Sequence, residues 1–113
     1  MKMRAFIFLL FSLAVLVDAQ ADVLDDLKTG YCYAFFSMEL QNSNLTEEKV
    51  AQLKMFSDKL FPRYRAALDH AKGRLTETAL EMEADKARHN QERKLSAAEY
   101  FMIVESCERQ AAQ

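Results

Sequence analysis

Beyond residue 21, apolar side chains recur at three- and four-residue steps, and no stretch of useful length alternates with period two. Steps of that size place side chains along one face of a helix, so the chain reads as all-α. The first helix is expected from Asp22 to Gln41. Leu24, Leu27, Tyr31, Ala34 and Met38 mark one face, and Cys32, Phe36 and Leu40 form an adjoining stripe, with Phe35 between them. Asp22, Asp25 and Asp26 crowd its first turns, where the positive end of a helix favours carboxylates. Tyr31 to Phe36 is apolar nearly all round, which places it at the centre of a core. Gly30 weakens the helix locally and lets a neighbour approach closely.

Three later helix starts share one pattern. Leu45-Thr46 precedes Val50, Leu75-Thr76 precedes Leu80, and Leu95-Ser96 precedes Tyr100. In each, the hydroxyl caps free backbone N–H groups and the preceding Leu staples onto the first apolar residue; Glu99 adds a capping box to the third. Helix 2 then runs from Glu47 to Lys72 with Val50, Leu53, Phe56, Leu60, Tyr64, Ala67 and Ala71 inward. Pro62 predicts a kink or short break. Lys72-Gly73 reads as a C-terminus with a left-handed glycine. Helix 3, Glu77 to Arg93, has only the thin stripe Leu80, Ala84 and Ala87. Helix 4, Ala97 to Gln110, places Tyr100, Ile103 and Cys107 on one face, with Ala97, Phe101 and Val104 beside it.

Four helices on short links predict a small antiparallel up-down bundle. Its rival fuses helices 2 and 3 across Gly73, but Gly73 and Thr76 both punctuate that join. The two cysteines, Cys32 and Cys107, predict a disulfide between the first and last helices. Closing a loop of about 75 residues contributes roughly 4 kcal/mol in the chain-entropy model. Antiparallel pairing through that bond sets Ala97 opposite Asn42, and parallel packing also satisfies it.

The first 21 residues are read as an export signal. Lys2 and Arg4 form a basic start, Ala5 to Val17 an apolar run too short to span a bilayer comfortably, and Ala19-Gln20-Ala21 a small-x-small cleavage site. The mature part, residues 22–113, is then one domain, periplasmic or secreted, with no stable membrane insertion. Cleavage moves the net charge from −2 to −3, which gives no global pull toward nucleic acid or anionic lipid. Two Gly, one Pro and no Trp exclude collagen and turn-rich β architecture.

Candidate chemistry is sparse. His70 and His89 are the only histidines and lie in charged surroundings; Glu77, Glu81 and Asp85 recur at four-residue steps but suit a solvated face paired with Arg74, Lys86 and Arg88. No metal site follows. Haem is not expected either, because C-x-x-C-H is absent and helix 4 carries no His. Ser37, Ser57, Ser96 and Ser106 have no nucleophile context, and there is no glycine-rich phosphate loop. The chain is therefore read as no enzyme, with no cofactor. Asn44-Leu45-Thr46 matches a glycosylation sequon. One basic block stands out: Lys59, Arg63, Arg65, Lys72 and Arg74, offset by Asp69. The last turn of a helix favours cations in any case, so Lys59, Arg63 and Arg65 are the partner-binding candidates.

Leu45-Thr46-Glu47-Glu48-Lys49-Val50-Ala51-Gln52-Leu53 resembles the LTxxQ stretch of Spy-type periplasmic chaperones, and Leu95-Ser96-Ala97-Ala98-Glu99 is a fainter second copy. Lys49 and Glu99 replace the motif's Gln. Those chaperones are cradle-shaped dimers whose core does not depend on a disulfide between first and last helices. The resemblance implies a chaperone or stress role without enzyme activity. The residues themselves point to a small exported helical protein that binds a protein partner, such as an inhibitor or immunity-type protein; a Spy-like chaperone is the alternative.

Overall fold

A computed structural model describes residues 22–42, 44–93 and 95–113. The proposed export signal, residues 1–21, and Lys94 lie outside that range. The described residues form four helices and no strand: α1 over residues 22–39, α2 Glu47–Ala71, α3 Leu75–Glu92 and α4 Ala97–Ala112.

Helix α1 is the axis. Its Cys32, Phe35 and Phe36 are almost wholly buried, which follows from the apolar run around them. On one side α2 stacks Phe56 on Phe36 and Tyr64 on Tyr33, with ring centroids 5.5 and 4.7 Å apart. Leu80 of α3 lies over Gly30, where an added Cβ would sit 3.0 Å from its Cδ2, so the missing side chain lets α3 approach closely there. Cys107 of α4 forms the disulfide with Cys32, with Cα atoms 5.2 Å apart.

The contacts fix the directions. Cys32 pairs with Cys107, Glu39 with Tyr100 and Thr29 with Gln110, so rising numbers in α1 meet falling numbers in α4 at a constant sum. That is the antiparallel register. Helix α2 also runs against α1, and α3 runs with it, since Leu80 lies at Gly30 and Gln91 at Glu39. The result is an up-down-up-down four-helix bundle. Helix α2 touches α3 and α4 as well, whereas α3 and α4 do not pack on each other along their described lengths. Helices α1 and α2 thus form an inner pair, flanked by α3 and α4.

Local signals explain most boundaries. Thr46 Oγ1 accepts from the Lys49 N–H at 3.2 Å, and Ser96 Oγ accepts from the Glu99 N–H at 3.2 Å. Gly73 takes φ +76° and separates α2 from α3. Helix α3 departs from expectation. It starts at Leu75, not after a Thr76 cap, and Arg74 in the cap position makes no side-chain hydrogen bond. The Glu77 carboxylate instead reaches back out of the first turn and accepts from the Gly73 N–H at 2.8 Å, tying the start of α3 to the preceding turn. Thr76 is left inside the first turn, and Leu75, 92% exposed, staples nothing.

Three further details differ. Helix α2 runs unbroken through Pro62, whose missing bond falls on the exposed side near Asp58. Leu24, on the apolar face of α1, and Phe101, on the stripe beside the inward face of α4, stand in water, and Val50, expected inward, is also exposed at the start of α2. At the start of α4 the Glu99 carboxylate accepts from the Ser96 hydroxyl at 3.1 Å and from Arg93 at 2.9 Å.

A buried carboxylate ties α1 to both flanking helices. Glu39 accepts from Gln91 Nε2 at 2.8 Å and from the Tyr100 hydroxyl at 3.1 Å. The Tyr100 phenol is pushed up to about 12, first by burial and then by the Glu39 charge and hydrogen bond. An unfolded tyrosine ionises near pH 10, so the fold holds this proton more tightly. The stability it contributes is whole below about pH 10 and is lost as pH rises toward 12. Urea unfolding across this range should show a steeper alkaline decline for the wild type than for Tyr100→Phe. Parallel declines would show that Tyr100 does not set this limb.

Candidate functional site

Helix α2 has two faces with different tasks. Leu53, Leu60, Ala67 and Ala71 are buried against the other helices. Lys54, Met55, Asp58, Lys59, Phe61, Arg65, Leu68, Asp69 and Lys72 stand on the outside. The sequence block Lys59, Arg63 and Arg65 is divided between these faces. Residues two apart on a helix point about 200° apart, so Arg63 and Arg65 cannot serve the same surface.

Arg63 turns inward and holds three helices together. Its Nη1 donates to the backbone carbonyl of Gln110 at 2.6 Å, and its Nη2 reaches Thr29 Oγ1 at 3.5 Å and Asp25 Oδ2 at 3.7 Å. Gln110, almost wholly buried, donates from Nε2 to Asp25 Oδ1 at 2.8 Å and Thr29 Oγ1 at 3.0 Å. Asp25, Thr29, Arg63 and Gln110 therefore clamp α1, α2 and α4 at one end of the bundle. Beside the clamp, burial and then the charge of Asp25 push the Asp26 carboxyl up, with His70 pulling it back. Sequence reading assigned no role to Gln110, yet it lies three residues beyond Cys107 on the inward stripe of helix 4.

Lys59 and Arg65 remain exposed, and Lys54 and Lys72 join them. None of these four has an ion-pair partner among the described residues. The cations of α3 and its exit are used differently: Lys86 pairs with Glu83, Arg88 with Asp85 and Arg93 with Glu99. Met55, Phe61 and Leu68 interleave with the free cations and are each partly in water. Phe61 is steadied against the Tyr33 ring at 5.7 Å. The face runs from Lys54 to Lys72, about 27 Å at the helical rise.

A second feature lies where α3 and α4 diverge. A groove of about 360 Å³ opens over Lys28, Tyr31 and Cys32 of α1, walled by Glu83 on one side and Met102, Ile103 and Ser106 on the other. Met82, 62% exposed, and Phe101 and Met102, 65% and 69% exposed, are on these two outer helices. The remaining sequence candidates lie apart: His70 is on α2 and His89 on α3, both exposed. Among the described residues no three His, Cys, Asp or Glu side chains converge as a metal site, and no helix is long and apolar enough to cross a membrane. Comparison of the chain with protein-family models, curated proteins and solved structures finds no match.

The two arginines should respond differently to the same substitution. Arg63→Gln loses a charge-assisted bond to a carbonyl in the clamp and should lower unfolding free energy by about 1.5–2 kcal/mol. Arg65→Gln should stay within about 0.5 kcal/mol of wild type. Urea denaturation measures both, and equal losses would contradict the division of α2 into two faces.

Proposed function

We propose that the protein is exported and acts by binding another protein, without catalysing a reaction, in the manner of an inhibitor or immunity-type protein. Export is supported by the composition of residues 1–21 together with a disulfide, a bond that persists in oxidising compartments. The observation that carries the binding reading is the set of free cations on α2. Lys54, Lys59, Arg65 and Lys72 have no ion-pair partner among the described residues and stand on or just after α2, among partly exposed Met55, Phe61 and Leu68. Exposed charge with apolar anchors between is the makeup of a protein-recognition surface.

A Spy-like chaperone is the second reading. Met102 on the wall of the groove and the exposed Met82 favour it, because flexible apolar side chains adapt to unrelated unfolded segments. The two readings separate on what a tagged copy captures from its own cell envelope. One partner near equal stoichiometry is the expected result. Many unrelated proteins at low stoichiometry, with suppression of aggregation of unrelated unfolded chains, would replace it with the chaperone reading. An empty bait would count against both.

A further inference from the structure

We infer that the outer face of α2 docks an acidic polypeptide segment, through Lys54, Arg65 and Lys72 in one row with Phe61 between them, and through Lys59 and Met55 on the adjoining flank of the same exposed side. This rests on the protein-binding reading above and names the chemistry of the partner. Four cations and two carboxylates, Asp58 and Asp69, occupy the exposed face, so it is locally positive in a chain whose net charge is −2. Its cations have no acid partner among the described residues, so a partner's carboxylates would not have to displace one. The ends of the face also differ in origin. Cations near Lys72 suit the negative end of α2, whereas Lys54, Lys59 and Arg65 precede the last turn and have no such explanation.

Geometry adds shape to charge. Ala51, Lys54, Met55, Asp58 and Lys59 line an open, shallow recess on this face. Its lining is mostly apolar and carries Lys54 and Lys59 together with the single carboxylate of Asp58, so cations outnumber acids there. The face is pre-organised from behind, since Leu53 and Leu60 are buried, Arg63 is held in the clamp and Phe61 rests on Tyr33.

An anionic bilayer is the other surface that attracts cations, and the same face disfavours it. Met55, Phe61 and Leu68 are only partly exposed, and the Phe61 ring leans against Tyr33, so the face offers no fully exposed apolar side chain to the acyl region. Asp58 and Asp69 stand among the cations, where a uniformly negative surface repels them. A polypeptide can match each position separately.

The test uses the purified protein with poly-L-glutamate as the probe at low ionic strength, read by backbone amide resonances. Shifts should concentrate on residues 54–72, and affinity should fall as salt is added. Lys54→Glu with Lys59→Glu and Arg65→Glu should weaken binding about tenfold or more, while Arg88→Glu on α3 should change it less than about twofold. Circular dichroism should show both variants as helical as wild type. Shifts centred elsewhere, an unaffected triple variant, or equal binding to phosphatidylglycerol vesicles would overturn the inference. If the triple variant loses poly-L-glutamate but still captures the wild-type partner, the assignment of this face fails and the protein-binding reading stands. A wild-type protein that captures nothing would instead sink that reading.

Discussion

The disulfide between Cys32 and Cys107 is the constraint on which the bundle depends. It joins the first helix to the last and closes a separation of 75 residues. Helix α4 gains most from this closure, because it does not pack along α3 and meets it only through the Arg93–Glu99 ion pair at the connecting turn. Its other attachments follow the register that the bond sets. Tyr100 reaches Glu39 on one side of the disulfide, and Gln110 reaches Asp25 and Thr29 on the other. With α4 in place, Phe35 and Phe36 are sealed from water, and each such side chain stabilises a core by about 3–5 kcal/mol relative to Ala.

Polar groups inside the bundle specify which helices meet. Among the described residues every buried side-chain nitrogen and oxygen has a hydrogen-bond partner. Glu39 joins α1, α3 and α4 at one level, and the Arg63 clamp joins α1, α2 and α4 at another. A register shift would strand these groups without partners, at a cost of about 1–3 kcal/mol each. The same demand organises the surface. Arg63 is drawn into the bundle by the Gln110 carbonyl, while its neighbours on the outside of α2 are left with nothing internal to bind. The proposed binding face is what remains of the basic block after the fold has used its share.

Much of this was legible in the sequence because the signals were local. Thr46 and Ser96 announce α2 and α4 by capping chemistry, Gly73 breaks the chain where left-handed backbone is needed, and an even cysteine count implied the disulfide. Helix α3 begins earlier than the Thr76 hydroxyl suggests: Thr76 lies inside the first turn, and the Glu77 carboxylate reaches back to the Gly73 N–H. Phe101 shares with Ala97 and Val104 the stripe beside the inward face of helix 4; only tertiary packing decides that Val104 meets the core while Phe101 stays in water. The clamp was hidden for another reason. Asp25, Thr29, Arg63 and Gln110 are distant in sequence, and only the register brings them together. The division of Arg63 from Arg65 did have a local signal, the two-residue offset, which a reading of charge density passes over.

The most direct measurement is urea unfolding of the wild type, of Cys32→Ser, of Cys107→Ser and of the double variant. If closure between the first and last helices holds the bundle together, each single variant should lose a similar amount, about 2–5 kcal/mol, and the double variant no more than either. Losses that add, or single variants as stable as wild type, would contradict the account.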